Sequence, residues 1–326
     1  MDTINVFPSV TIHVTVKNAE DTIKKCIDSL LDVDYPNKQI YVTEAYSSDR
    51  TYEILRQYGD KIKLERVIGN APSAHNHIFK KINTDFIALT DADCAVDKNW
   101  LRNLVKAFTS NDIIAAGGYV KTPRDVNRLQ KLIGKELENR FHRMPKFVPR
   151  LPTMNLCVRT EFAKKVRMNQ ALDVTFETEW GYRLTRFGKM IYVPNAVVYH
   201  YHRSDWVGFF KQQMKYAKYA IRIPSIYSRK IKLGDHISTP WMGIQLLLFI
   251  LIFGTLFSSI LLDVLFSITT TTLIFLALSL FAILNVVFLA NILQFTRNPF
   301  EVLEYIILFL VRTVAWSVGM VLGILS

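Results

Sequence analysis

Two aspartates separated by one residue close an apolar run in Phe86-Ile87-Ala88-Leu89-Thr90-Asp91-Ala92-Asp93. The run reads as a short buried strand, so the acids fall where it leaves the core. If the backbone stays extended, residues i and i+2 share a face and both carboxylates point the same way. Two hard oxygen donors with spare positions suit Mg2+ or Mn2+ bridging a diphosphate. The same pair is also what the solvated end of an ordinary strand looks like. Further acids and histidines stand elsewhere. Glu44 and Asp49 follow the run Ile40-Tyr41-Val42-Thr43, and Glu177 and Glu179 precede Arg183. His200 and His202 end Ala196-Val197-Val198-Tyr199-His200-Tyr201-His202. Each has a plain alternative. Glu177 and Glu179 read equally as the acidic first turn of a helix, which the macrodipole favours. Arg183 reads as an ion-pair partner on that helix, and the histidines as structural. Asn155 precedes a predicted helix, where it either caps the helix or lines a pocket.

The elements that must position these groups alternate. Val10, Ile12, Val14 and Val16 interleave with Thr11, His13 and Thr15 as a first strand. Asn18 is placed to cap a helix with Ile23, Ile27, Leu30 and Leu31 on one face. Residues 40–43 form a second strand, followed by a polar turn at Tyr46-Ser47-Ser48-Asp49-Arg50 and a helix from Thr51. Leu64 to Ile68 is a third strand, Pro72 opens another helix, and Phe86 to Thr90 is the fourth strand. Strands alternating with helices imply a parallel sheet covered by helices. Ligands of such sheets lie beyond the carboxyl ends of the strands, the edge where Glu44, Asp49, Asp91 and Asp93 all fall. No Walker loop and no G-x-G-x-x-G is present, so a glycine cradle for phosphates is absent.

Charge is distributed unevenly over the 326 residues. Residues 1–235 carry nearly all of it, whereas Pro240 to Leu262 and Val264 to Thr296 have no Asp, Glu, Lys or Arg. A helix needs about 20 apolar residues to cross a hydrocarbon core. Spans at about 240–262, 270–293 and 302–325 follow. Buried helices of a soluble bundle would keep a polar face. Arg222, Arg229, Lys230 and Lys232 mark the side before the first span as cytoplasmic. Arg312, inside the third span, either snorkels, pairs with a neighbour or meets a lipid headgroup. The polar start MDTINVFPSV is unlike a signal peptide. Cys26, Cys94 and Cys157 lack paired spacing and fit a reducing compartment. The net charge of +12 suits an anionic membrane or a phosphate-bearing substrate. No nucleic-acid reader motif is found. Trp206, Phe209, Phe210, Met214 and Ala217 at helical spacing, with lysines nearby, suggest an amphipathic helix at the membrane interface; a buried core helix is the alternative.

Five stretches in order resemble glycosyltransferase family 2, the inverting nucleotide-sugar transferases of GT-A fold. VTIHVTVKNAEDTIKKCIDSLL resembles the family's first strand and helix, with its characteristic tetrad at Thr15-Val16-Lys17-Asn18. YVTEAYSSDRT resembles the second-strand motif, Ala74-His75-Asn76 an Ala-Arg-Asn triplet, and TDFIALTDAD the strand into its D-x-D. ETEWGYRLTRFGKMIYVPNAVVYHYH resembles the block carrying the catalytic acid. The likeness covers about residues 9–220. It implies that Asp91 and Asp93 bind Mn2+ or Mg2+ and the diphosphate, with His200 completing the site. Thr15, Asn18, Glu44, Asp49, His75 and Arg183 would contact the nucleotide-sugar, UDP- or GDP-linked. Glu177 would be the base that deprotonates the acceptor in a single in-line displacement, with Glu179 its understudy. Asn155, Trp180 and a degenerate Q-x-x-R-W at Gln212-Gln213-Met214-Lys215-Tyr216 would face the acceptor. Several positions depart from the family pattern: Glu44 replaces aspartate, Tyr46 and Arg50 replace glycines, and His75 replaces arginine.

The expected architecture is an α/β GT-A, Rossmann-like domain over 1–205, an interfacial segment over 206–239 and membrane helices over 240–326. The expected activity is metal-dependent transfer of a sugar from a nucleoside diphosphate to a lipid-linked acceptor of polyprenyl phosphate type, at the cytoplasmic membrane face. A processive polysaccharide synthase, or a non-catalytic membrane scaffold, would share many of these features. Oligomeric state is left open.

Overall fold

A computed structural model describes residues 7–221, 235–266 and 271–326. The basic residues Arg222, Arg229, Lys230 and Lys232 lie outside the described residues, as do residues 1–6. Two compact units are formed, one from residues up to 134 with 141–202, the other from 135–140 with 203–326.

The first unit is built on a sheet of order β3-β2-β1-β4-β8-β6-β9-β5, with β7 added on β9. Its strands are β1 (Val10–Val16), β2 (Lys38–Glu44), β3 (Lys63–Arg66), β4 (Phe86–Asp91), β5 (Cys94–Val96), β6 (Ile113–Lys121), β7 (Phe147–Val148), β8 (Leu156–Arg159) and β9 (Lys189–His200). The helices are α1 (Ile23–Leu31), α2 (Thr51–Arg56), α3 (Ala71–Lys81), α4 (Trp100–Lys106), α5 (Arg128–His142), α6 (Thr160–Lys165) and α7 (Phe176–Leu184). The β1 to β4 half is parallel, as the alternation predicts. Beyond β4 the sheet is mixed, because β8 runs antiparallel to both β4 and β6. The helical alternation that enforces parallel crossovers has stopped there.

β1 shows why an alternating pattern need not mean one wet face. Val10, Ile12 and Val14 are fully buried, and so are Thr11 and His13. As a central strand, β1 is covered on both sides. Its polar members are therefore satisfied by neighbouring elements: Thr11 Oγ1 meets Thr84 Oγ1 at 2.8 Å, and His13 Nε2 meets Thr43 Oγ1 at 3.0 Å. Burial of each large aliphatic side chain here contributes about 1.5–3 kcal/mol.

Asn18 does not cap α1. The helix starts at Ile23, and Asn18 adopts a left-handed backbone (φ 51°) from which its Oδ1 accepts the Ser48 N–H at 2.9 Å. A short polar side chain tolerates that conformation, and bonding to the next loop replaces capping. Asn70 caps α3, with Pro72 in its first turn.

In the second unit α8 (Trp206–Ala220) is followed by α9 (Pro240–Phe266), α10 (Thr271–Ile292) and α11 (Pro299–Leu325). The last three are long and apolar enough to cross a membrane. Asn298 caps α11 by accepting from Phe300 and Glu301, so that helix starts earlier than its apolar run. α11 meets α8 through small residues. A Cβ on Gly319 would lie 2.1 Å from the Met214 carbonyl oxygen, and one on Gly323 would lie 2.6 Å from that of Lys218. The spacing is the small-xxx-small pattern that lets helix backbones approach. Arg312 takes the pairing option. Its Nη1 donates to both Glu136 oxygens at 2.6 and 2.8 Å, and Nη2 donates to Gln245 Oε1 at 3.4 Å. All three residues are buried.

Candidate active site

Strand register assembles the edge of the first unit. Thr15 lies beside Asp91, Val16 beside Glu44, and Glu44 beside Arg66, so the ends of β4, β1, β2 and β3 form one shelf. β4 ends at Asp91, and Ala92 and Asp93 form a turn into β5. The strand alternation expected to align the two carboxylates therefore stops at the first of them. Pairing of β5 with β9 does the rest. Cys94 is opposite His200, the Tyr201 N–H donates to the Asp93 carbonyl, and His200 Nε2 comes within 3.5 Å of Asp93 Oδ1. Asp93, Cys94 and His200 each offer a ligand atom within 4.8 Å of the others.

Electrostatics join Glu177 to this group. Burial and the Asp93 charge push the Asp91 carboxyl up to about 7, His200 opposing and Glu177 reinforcing the rise. Glu177 occupies the first turn of α7, after Thr175 in a left-handed conformation. Burial raises its own carboxyl above the usual range, against its backbone hydrogen bond and the charge of Arg150. Arg150, itself buried, donates to Thr178 Oγ1 at 2.9 Å. A carboxylate in such surroundings is a ready proton acceptor near neutral pH. A carboxylate oxygen and an imidazole nitrogen also suit a divalent cation such as Mn2+. Cys94 is no thiolate, since burial and the neighbouring aspartates raise its pKa well above that of a free thiol. The donors are thus hard to borderline, in keeping with Mn2+ or Mg2+, with Asp91 beside them.

Other expected contacts are already engaged. Glu179 is buried and held by Arg183, whose Nε donates to Oε1 and whose Nη2 donates to Oε2 at 2.7 Å. The i,i+4 ion pair accounts for both residues, and Glu179 as alternative base loses its support. Trp180 is fully buried against Phe79 and donates to the Val166 carbonyl, so its indole does not face an acceptor. Asn155 precedes a strand, not a helix. Buried completely, it accepts from Trp100 Nε1 at 2.8 Å and donates to the carbonyls of Tyr119 and Ala196, bracing three strands. His75 is also interior. Its Nδ1 meets His13 Nδ1 at 3.0 Å between Phe79 and Phe176, and desolvation pushes its pKa down to about 3. A neutral imidazole enclosed by aromatic rings is no diphosphate contact.

The nucleotide-side loops are stitched to one another. Asp49 accepts from the N–H groups of Thr51 and Glu20, and Ser47 Oγ accepts from the Asn18 N–H. Glu44 is fully buried; one oxygen accepts the Ser47 N–H and the other accepts Arg66 Nε at 2.7 Å. Burial alone would raise its pKa, but Ser47 and Arg66 outweigh it and the carboxylate is held below its ordinary value. In the second unit Gln213 accepts from Trp316 Nε1 at 3.0 Å, a helix-packing bond. Gln212 is partly buried, whereas Lys215 and Tyr216 are exposed on α8. Sequence reading missed Cys94, Arg150 and Arg66. Cys94 was visible beside the D-x-D, but only strand pairing shows its partner, and no local motif marks the two arginines.

Residues 11–164 match the family model described as glycosyl transferase family 2. The beta-monoglucosyldiacylglycerol synthase of Synechocystis sp. is 32% identical over 113 residues, covering 32% of this chain and 24% of that protein. Glycosyltransferase AglE of Haloferax volcanii is 25% identical over 124 residues, covering 36% of this chain and 41% of that one. The matched segment thus spans well under half of these curated relatives. Among solved structures, a mannosyltransferase of Pyrobaculum calidifontis, in complex with GDP-Man and Mn2+, superposes with a TM-score of 0.60. It is 14% identical and covers 97% of this chain and 88% of that one. That likeness establishes a shared fold.

Proposed function

Because the chain is a member of glycosyltransferase family 2, carrying that family's domain over residues 11–164, we propose that it transfers a sugar from a nucleoside diphosphate donor to a lipid-linked acceptor. One observation carries this reading: Asp91, Asp93, His200 and Glu177 converge on one strand-end edge, although three like charges there are electrostatically costly. Repulsion of that kind is retained where a cation or a proton has to be handled.

Asp93 and His200, with Asp91 beside them, would hold the divalent ion, which when bound would neutralise the leaving diphosphate. Glu177 accepts the proton of the attacking acceptor hydroxyl as the bond to the anomeric carbon forms on the opposite side from the leaving group. One base and one displacement invert the anomeric centre. An acceptor hydroxyl on a lipid-linked sugar needs this base, whereas a polyprenyl phosphate oxygen attacks already ionised. The raised pKa of Glu177 favours the hydroxyl. Three apolar helices following the catalytic residues and the net charge of +12 support a membrane-bound acceptor. Arg222, Arg229, Lys230 and Lys232, ahead of the first of these helices in the sequence, support a cytoplasmic catalytic domain.

The test is a panel of nucleotide-sugars incubated with the protein, Mn2+ or Mg2+ and membrane lipid extract, with mass spectrometry of the glycolipids. A single added sugar, lost in Asp93→Ala and Glu177→Gln, is the expected result. Long products would indicate a processive synthase, and no turnover of any donor would refute the enzyme reading.

A further inference from the structure

Arg66 is held in a way that leaves one use for it. Its guanidinium carbon lies 4.1 Å from the Tyr46 ring centre and 4.3 Å from that of Tyr52, so two aromatic rings pack against it. Its Nε is bound to Glu44, and among the described residues its two terminal nitrogens have no acceptor. The side chain remains one-third exposed. The donors left for a ligand are therefore its two terminal nitrogens, a planar fork. A ligand must meet it in plane, with two neighbouring acceptors.

Its place in the fold narrows the ligand. Arg66 is three strands from Asp91 along the shelf formed by β4, β1, β2 and β3. At normal strand spacing that is roughly 14 Å, about the reach of a nucleoside diphosphate from its phosphates to the far edge of its base. Glu44, the acid that the family resemblance sets near the base, is sealed: it is fully buried, with one oxygen on Ser47 and the other on Arg66. It has no exposed oxygen to accept a uracil or guanine ring N–H. Base reading is left to a donor-only fork. Guanine offers adjacent O6 and N7 acceptors, the commonest bidentate partner of arginine. Uracil places an N–H between its two carbonyls and offers no such pair. Tyr46, half-exposed, adds a ring face suited to the larger purine.

We propose that Arg66, clamped by Tyr46 and Tyr52 and fixed by Glu44, reads the nucleobase of the donor and selects guanine. This inference rests on the glycosyl-transfer reading above and adds the donor class to it.

Calorimetric titration of the full-length protein in detergent with Mn2+ and GDP, UDP or CDP tests it. The expected result is GDP bound about tenfold or more tighter than UDP and CDP. Arg66→Lys keeps the charge and the tie to Glu44 but loses the fork, so it should abolish that preference while changing UDP binding little. Matching thermal midpoints for Arg66→Lys and wild type exclude a folding effect. Equal or tighter binding of UDP overturns the proposal, as does a preference for CDP, whose base also has two adjacent acceptors. Uniform weakening of all three nucleotides in Arg66→Lys also overturns it, because that is the signature of a phosphate contact. Nucleotides that bind and turn over without a guanine preference sink only this inference. If no nucleotide binds, the glycosyl-transfer reading falls with it.

Discussion

The two units treat buried charge in opposite ways. In the second, Glu136 and Arg312 face each other with two hydrogen bonds and Gln245 beside them, so the charge is cancelled where it lies. In the first, burial, the Asp93 charge and Glu177 raise the affinity of the Asp91 carboxyl for a proton, tempered by His200. A matched buried pair adds little net stability but is costly to break, because the survivor is left charged and dry. Carboxylates gathered together instead lower stability until a cation or proton arrives. The first arrangement holds helices in place, and the second keeps a site ready for a ligand.

Removing Glu177 should give the largest effect. Glu177→Gln is expected to slow transfer by about 10^2–10^4-fold with an unchanged melting temperature, as befits loss of a general base. A loss of stability instead would move Glu177 into the class of Glu136. Next, Arg312→Met alone should destabilise the protein by about 3–5 kcal/mol, and adding Glu136→Leu should restore most of that loss. Denaturation of the purified variants in detergent reads both. A double variant as damaged as the single one would show that the pair is not what compensates the charges. The pH profile comes third. Because the Glu177 pKa is raised, its basic form disappears as pH falls through a value above the ordinary carboxylate range. Transfer should therefore decline already in mild acid, and the residual rate of Glu177→Gln should lack that limb. The smallest effect is expected from Asp91→Asn. It relieves repulsion, so metal-free protein should melt slightly higher at neutral pH, while added Mn2+ stabilises it less than wild type. A lower melting point for the metal-free variant would break the contrast between the two units.

Local pattern made much of this legible. The buried strand before Asp91, the helix after Pro72 and the three apolar spans follow from periodicity and composition. Glu179 with Arg183 was visible as an i,i+4 pair. What escaped depends on partners far apart in the chain. Glu44 meets Arg66 only because β2 and β3 pair in that register. His200 meets Asp93 only because β5 returns along β9. Asn155 read as a pocket residue facing the acceptor, or else a cap, because a helix was expected after it, yet it braces strands from the interior. Polar residues that saturate one another inside a core are indistinguishable, by type alone, from those awaiting a substrate.

The six residues 135–140 have a practical consequence. They lie within α5, flanked in sequence by catalytic-unit residues, yet they group with 203–326. Lys135 donates to Glu301 at 2.6 Å, Arg140 to the Ile237 carbonyl at 2.7 Å, and Glu136 accepts from Arg312. A shortened chain stopped before Pro240 would therefore keep these side chains and lose Glu301 and Arg312, the partners of Lys135 and Glu136. Truncating the hydrophobic tail to obtain a water-soluble enzyme would leave a helix turn made for protein contacts facing solvent. Substituting Glu136 and Lys135 together with the truncation is the rational way to make such a piece.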